Sequence, residues 1–418
     1  MKNTPTTLAA AIMLTAALAA GACSSDSTTA GTDIALDASH PTPTSSTTTE
    51  PVAPSPTTAD EPSPPPEEPL ESSELQLALD TIVADSGVPA VGAAMFDRDG
   101  VIHIAVSGVR QRGDTTKATA GDLFHLGSNT KAMTAALLAR LSEQGQGISF
   151  DTTLADAFPA NATMHEDYVN VTIGQLLTHT GGAPGDEVDV DETILSMPVV
   201  EGRALGTELV LSEPPARDPG TVSSYSNAGY VIVGSAMETA TGTSWEDLMI
   251  AEIFEPLGMT SCAFGPPGTA TDTSQPSGHD ESGQPIYWDI PQIFGPAGTV
   301  HCTMADWGTF LVEMLHAADG NSDFLTQASI QRLVEPAAVP VEGFPDGQSA
   351  AGWLVIDGPD GPDGPGYYHN GSNTAWYSQA VILPNTNRVI LAVANEEASG
   401  EQAAGMAFAA LSELDAGQ

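Results

Sequence analysis

Apolar positions along the chain change period in an order that lays out the fold. Leu75, Leu79, Ile82 and Val83 recur at helical spacing, which predicts an amphipathic helix over 74–85. Two apolar runs follow, over 91–96 and 101–106, separated by Asp97-Arg98-Asp99-Gly100. A polar turn ending in Gly between two such runs predicts a β-hairpin. The middle of the chain carries helical patterns over 130–143, 229–240 and 244–254, broken by Gly/Pro loops. Strand patterns return over 379–383 and 389–394, joined by Pro384-Asn385-Thr386-Asn387, and a last helix is predicted over 401–414. The simplest packing brings both ends into one antiparallel sheet flanked by helices, with the middle as a mainly helical lobe. That is an α/β (α+β) fold, with a cleft between lobes as the natural place for chemistry. No internal repeat is present.

The N-terminal pattern is of another kind. Met1-Lys2-Asn3 precedes an apolar stretch from about Leu8 to Ala20, then Gly21-Ala22-Cys23. A short positive region, a short apolar region and small residues at a cleavage point read as a secretory signal over 1–22. The run is too short and Ala-rich to be read as a membrane span. Cys23 directly after Ala20-Gly21-Ala22 resembles a bacterial lipoprotein signal, which implies lipid on Cys23; Ala20 departs from that pattern, where Leu is usual. Residues 24–72 are Ser, Thr, Pro, Ala and acid, with too little apolar surface to offset chain entropy. The segment 23–72 therefore reads as a disordered, semi-rigid tether to a folded domain over 73–418.

Composition then restricts the partners. The 418 residues hold 11 Lys+Arg against 54 Asp+Glu, a net charge of -43. Phosphate affinity comes from clustered cations, so nucleic acid is excluded as a partner. Electrostatic docking to anionic lipid is disfavoured for the same reason, which leaves the membrane contact to the lipid anchor. The acidity reads either as adaptation to saline surroundings, where salt screens self-repulsion, or as an ordinary acidic exoprotein. Once Cys23 is assigned to lipid, Cys262 and Cys302 remain as a pair in an exported chain. They suit one disulfide, with two buried thiols as the alternative. The nine His show no HExxH and the Cys no CxxC, so no metal and no cofactor is expected.

Three short constellations carry candidate chemistry. Ser128 and Lys131 stand three apart at the start of the 130–143 pattern, so both fall on one helical face. A desolvated Lys can take a proton from the Ser, which makes a nucleophile with its base. The plainer alternative is a helix-capping Ser followed by a surface Lys. Tyr225-Ser226-Asn227 precedes the 229–240 pattern. A Tyr beside a nucleophile relays protons, and an Asn amide orients substrate or Lys; the plainer reading is a turn with a buried Tyr. His369-Asn370-Gly371-Ser372 precedes the late strands. Gly371 at a strand edge allows close backbone approach, and a strand N–H there can join the Ser128 N–H as an oxyanion hole. His369 is then placed to bind or polarise substrate, against the plainer reading of a loop His near a turn Gly.

Taken together and in this order, Ser-x-x-Lys, Tyr-x-Asn and His-x-Gly resemble the penicillin-recognising serine hydrolases. The similarity is to the branch of class C β-lactamases, D-alanyl-D-alanine carboxypeptidases and related esterases. Leu176-Leu177-Thr178-His179-Thr180-Gly181-Gly182, Pro256-Leu257-Gly258-Met259 and Ala297–Asp306 also look like segments of that family, so the resemblance spans about 74–415. It implies an acyl-enzyme on Ser128, with Lys131 and Tyr225 sharing the proton. Asn227, His369, Gly371 and Ser372 are implied as substrate-binding, with the Ser128 and Ser372 amides on the oxyanion. The substrate implied is a D-alanyl peptide or an ester, with a β-lactam third, since His369 stands where most β-lactamases have Lys. His179-Thr180-Gly181 also reads His-x-Gly, but it precedes Tyr225, so His179 is expected to be structural. Cys302 departs from the Ser usual at its position. The competing reading is a non-catalytic, surface-tethered binding lipoprotein of the same fold. The chain is expected to be a monomer acting on a small molecule or peptide. Loops over 183–200 and 263–295 are expected to shape specificity.

Overall fold

The computed structural model describes residues 73–185, 191–271, 273–344, 347–357 and 365–417. The expected signal over 1–22, lipidated Cys23 and the tether over 23–72 lie outside the described residues.

Twelve strands occur in these segments. They are β1 (Ala90–Asp97), β2 (Gly100–Gly108), β3 (Phe124–His125), β4 (Ala263–Phe264), β5 (Gly278–His279), β6 (Pro285–Ile286), β7 (Val300–Cys302), β8 (Gln348–Ala350), β9 (Trp353–Asp357), β10 (Pro365–Ser372), β11 (Tyr377–Leu383) and β12 (Arg388–Ala394). Seven form one antiparallel sheet in the order β2-β1-β12-β11-β10-β9-β8. The predicted hairpin is its β1–β2 edge. The two ends of the domain meet inside it, where Val91 pairs with Ala394 and Phe96 with Val389. Both β11 and β12 are buried along nearly their whole length, which is why they read as continuous apolar runs.

Each face of the sheet is covered. The helices Ser73–Ser86 and Gly400–Ala416 pack on one face, where Leu75, Leu79, Ala407, Phe408 and Leu411 form a core with Val91, Met95 and Ile390. Full burial of each Leu contributes about 2 kcal/mol. The helix Thr130–Glu143 lies on the other face, between the sheet and the helical lobe. Eleven of its residues are buried, four of them Ala. A helix apolar nearly all round is a buried helix, and small side chains let neighbours come close.

The lobe departs from the predicted pattern in places. The stretch over 244–254 splits into a helix Trp245–Met249 and a π-helical turn Ile250–Phe254. The loop over 183–200 contains a short helix Glu192–Leu195 and the start of a longer one, Val199–Ser212. The helix Met304–Ala318 and strands β8 and β9 are further elements beyond the predicted set. A small sheet in the order β3-β7-β4 joins the segment before Ser128 to the segment after Ala297. Cys262, just before β4, forms a disulfide with Cys302 of the central strand β7, where Cys302 pairs with Phe124 of β3.

Candidate active site

The chain leaves β3 and enters the helix Thr130–Glu143 through a tight 3-10 turn, Gly127–Asn129. Gly127 has φ +50°, and a Cβ built on it would fall 2.5 Å from Ser372 N. Both the backbone conformation and the close approach require glycine here. Ser128 sits within the turn, and the residue preceding the helix is Asn129, which makes no side-chain capping bond. The expected alternative of a capping Ser is thereby removed. The Ser128 hydroxyl instead faces two other groups: Lys131 Nζ at 2.9 Å and Tyr225 Oη at 2.6 Å.

Lys131 is 0% exposed. Its Nζ donates to Ser128 Oγ, to Asn227 Oδ1 at 2.7 Å and to the Ala297 carbonyl at 2.7 Å, among other contacts. Two of these, the amide oxygen and the carbonyl, only accept hydrogen bonds. A neutral amine can give them its two hydrogens and turn its lone pair to the Ser128 hydroxyl. An ammonium can donate to all three. The same cage therefore fits the side chain before and after it takes a proton, with no rearrangement. The surface-Lys alternative does not hold.

Tyr225 reaches Ser128 from the lobe. Ser224 N donates to the His179 carbonyl at 2.9 Å. Ser226 caps the helix Asn227–Thr241, its hydroxyl accepting from Gly229 N at 2.8 Å. These two anchors fix Tyr225 and Asn227 on either side of one cap. His179 supports them from below. Its Nδ1 accepts from Ser226 N at 3.1 Å, and its ring lies 4.7 Å from that of Tyr225. Burial, and then the nearby Lys131 cation, hold His179 well below its ordinary pKa, so a neutral ring packs there. Tyr225 is 37% exposed, whereas Tyr230, also beside Lys131, is buried and donates to the Leu177 carbonyl at 2.8 Å. Burial pushes the Tyr230 phenol well above its ordinary range, so it stays neutral. Of the two phenols, the exposed one touches the Ser.

The third constellation is the end of β10. His369 and Gly371 are two apart on a strand and share one face. A Cβ on Gly371 would lie 2.1 Å from the Leu126 carbonyl and 2.7 Å from Ser128 N. Gly371 thus lets the strand press its backbone onto the Ser128 turn, placing the Ser372 amide beside Gly127. His369 is 8% exposed, and its Nδ1 meets the Asn370 carbonyl. Burial first, then the Lys131 cation, push its pKa down to about 3, against the pull of that carbonyl. His369 is accordingly a neutral imidazole.

A buried network ties the two backbone segments together. His125 Nδ1 accepts from Gly127 N at 3.1 Å, so the proton sits on Nε2, which meets Asp289 Oδ2 at 2.9 Å. Asp289 Oδ1 accepts from Asn373 Nδ2 at 2.9 Å. The carboxylate therefore bridges residues just before Ser128 and just after Ser372. Nearby, the fully buried Arg203 donates to the Ile293 carbonyl at 3.1 Å and pairs with Glu238 and Glu246. It fixes the segment leading to the Ala297 carbonyl that Lys131 uses. Among the described residues, no three His, Cys, Asp or Glu gather to hold a metal.

Ser128, Lys131, Tyr225, Asn227, His369, Gly371 and Ser372 thus converge, and His179 supports them. The Ala297 carbonyl, His125, Asp289 and Asn373 were beyond sequence reasoning. A backbone oxygen carries no side-chain signature, and Asp289 is one acid in a loop among 54.

Comparison with known proteins agrees with this geometry. The family described as Beta-lactamase matches residues 75–414. Penicillin-binding protein 4 of Amycolatopsis lactamdurans is 29% identical over 342 residues, covering 78% of this chain and 86% of that protein. A putative D-alanyl-D-alanine carboxypeptidase of Escherichia coli K12 is 26% identical over 194 residues, 44% of each chain. The octameric penicillin-binding protein homologue from Pyrococcus abyssi has a similar fold, with TM-score 0.66 and 20% identity over 82% of this chain and 77% of that one. D-alanine carboxypeptidase AmpC from Burkholderia cenocepacia has TM-score 0.64 and 19% identity over 80% of this chain and 97% of that one. With the family matched along nearly the whole folded body, the chain belongs to the Beta-lactamase family of serine hydrolases.

Proposed function

We propose that this chain cleaves an ester or amide through an acyl-enzyme on Ser128. The observation that carries the reading is the Ser128 hydroxyl held 2.6 Å from Tyr225 Oη and 2.9 Å from Lys131 Nζ. Ser128 Oγ attacks the carbonyl carbon, and its proton passes to the adjacent Tyr225–Lys131 pair. The negative charge that develops on the carbonyl oxygen is met by the Ser128 and Ser372 N–H groups. The pair then returns the proton to the departing oxygen or nitrogen, which leaves the acyl group on Ser128. A water molecule, giving its proton to the same pair, releases the acid and restores the Ser hydroxyl. Asn227 holds Lys131, and His369 flanks the substrate. The names of the relatives support a D-alanyl peptide as the acyl donor, with an ester as the second candidate on the resemblance of the motifs alone.

The Cys262–Cys302 disulfide supports an extracytoplasmic place of work, since such bonds persist in oxidising compartments. It accords with export and lipid attachment at Cys23.

The test is intact mass of the full chain after a fluorophosphonate, with Ser128→Ala alongside. One adduct on the wild type and none on the variant is expected. Ester turnover in the variant should fall by at least about a thousand-fold. An equal adduct on both proteins would refute the assignment.

A further inference from the structure

Strand β11 is buried from end to end, yet its second residue is a Ser. Ser378 is 0% exposed. A Val would suit such a strand better, and a buried hydroxyl is costly unless it is bonded. Here it is bonded twice. Ser378 Oγ donates to the Leu126 carbonyl at 2.7 Å and accepts from Asn129 Nδ2 at 2.8 Å. Leu126 and Asn129 are the two ends of the turn that carries Ser128, and Asn129 N closes that turn on the same Leu126 carbonyl at 3.1 Å. Asn129 is itself buried, and its Oδ1 meets no hydrogen-bond partner among the described residues. The bond to Ser378 is therefore what orients its amide.

The sheet register explains why the hydroxyl comes from this position. Ser378 stands opposite Gly371 of β10. Opposed residues of an antiparallel pair face the same side of the sheet. A Cβ on Gly371 would lie 2.1 Å from the Leu126 carbonyl. Ser378 reaches that same carbonyl with its hydroxyl. One strand thus lets the turn approach, and its neighbour fastens it. From the small sheet, His125 Nδ1 holds Gly127 N at 3.1 Å and the Val300 carbonyl holds Leu126 N at 2.9 Å. Ser378 is the tie from the large sheet, the sheet to which the Ser372 amide belongs. It relates the two amides through adjacent strands.

We propose that Ser378 is a positioning residue for acylation: its hydroxyl, bonded to both ends of the turn, sets the Ser128 amide and hydroxyl in register with the Ser372 amide. This rests on Ser128 being the nucleophile of the proposed reaction. Ser378 acts through the turn and not on the substrate.

The test uses the full chain and three variants. Ser378→Ala removes the hydroxyl. Asn129→Ala removes one of its two partners and leaves the bond to Leu126. Ser412→Ala is the control for lost stability, since it removes another buried hydroxyl, one that donates to the Phe408 carbonyl at 2.9 Å in the helix Gly400–Ala416. Each protein is labelled with a fluorophosphonate over a range of concentrations, well below its melting temperature. The limiting rate constant should fall about 30-fold in Ser378→Ala and about ten-fold in Asn129→Ala, because a misdirected turn slows the step itself. The concentration that gives half the limiting rate should stay within about threefold of wild type, because the binding surface is untouched. Ser412→Ala should label as the wild type does. A wild-type limiting rate in folded Ser378→Ala, beside a lowered melting temperature, would leave the hydroxyl a purely structural role and overturn the proposal. An equal loss in Ser412→Ala would do the same, as would a loss confined to the half-saturating concentration. Ser128→Ala separates the two levels. Equal labelling of that variant and the wild type would remove the serine-hydrolase reading itself, whereas labelling that depends on Ser128 but not on Ser378 or Asn129 would overturn only the positioning role.

Discussion

Asp289 Oδ2 lies 2.9 Å from His125 Nε2, across 164 residues of chain. The pair connects the turn that carries Ser128 to the end of the strand that carries Ser372. His125 has its proton on Nε2 because Nδ1 accepts from Gly127 N. An Asn at 289 cannot satisfy both neighbours. If its oxygen faces His125, its amide hydrogens face the donor Asn373, and the reverse orientation sets donor against donor at His125. Asp289→Asn is therefore expected to misplace the two amides and slow Ser128 acylation by about 100-fold. The check is the fluorophosphonate labelling rate beside the melting temperature. Lost stability with an unchanged labelling rate would leave Asp289 a purely structural role.

Gly371 makes a second prediction. A methyl group there meets the Leu126 carbonyl at 2.1 Å and Ser128 N at 2.7 Å, both backbone atoms of a tight turn. Neither can swing aside as a flexible side chain would. Gly371→Ala should push β10 off the Ser128 turn, costing about 1–3 kcal/mol of stability and, on the proposed mechanism, most of the ester turnover. Urea unfolding and ester kinetics on one preparation measure both. Unchanged turnover would show that the Ser372 amide plays no part.

Much of this architecture was legible because its parts are local. Ser128 and Lys131 are one helical turn apart, and the 91–106 hairpin declares itself by two apolar runs around a Gly turn. Ser128, Lys131 and Tyr225 each sit at the start of a helix or beside a cap, where spacing is fixed. What escaped notice was set by long-range packing. Strand β8 is three residues of mixed polarity joined to β9 by Ala351-Gly352, too short to show a period. The split of the 244–254 pattern into α and π turns is likewise decided by packing, since both keep one apolar face. The Ala297 carbonyl and the Asp289 bridge become visible only when distant loops are brought together.

Acid should weaken the fold earlier than its carboxylates alone would. Burial holds His179, His279, His301 and His369 below the ordinary 6.5, His369 at about 3. Each is neutral in the fold and takes a proton near 6.5 once unfolded, so the unfolded chain binds more protons. The stabilisation is complete above about pH 6.5 and is lost as pH falls toward the folded values. Each such His contributes a slope of about 1.4 kcal/mol per pH unit within that window. Urea unfolding between pH 7.5 and 5 at constant salt should show the loss, with a shallower slope in His369→Gln. A flat profile over that range would contradict the buried neutral state.

The Cys262–Cys302 bond closes a loop of sequence separation 40. Chain-entropy reasoning gives it about 4 kcal/mol of stabilisation. Reduction, or Cys262→Ala with Cys302→Ala, should lower the melting temperature. Because Cys302 pairs with Phe124 just upstream of Ser128, the reduced protein should also label more slowly at temperatures well below melting. Calorimetry with and without a reductant tests the first expectation, and labelling rates test the second.

The pairing of Val91 with Ala394 also sets the order in which the molecule can come into being. A ribosome completes Ser128, Lys131 and Tyr225 long before it reaches His369 and the last two strands. Until those arrive, β1 has no inner neighbour and the second amide does not exist. Contacts of such high sequence separation form late and slowly. A nascent or truncated chain therefore lacks the assembled site, which is completed only when the final strand slots in between the first and β11.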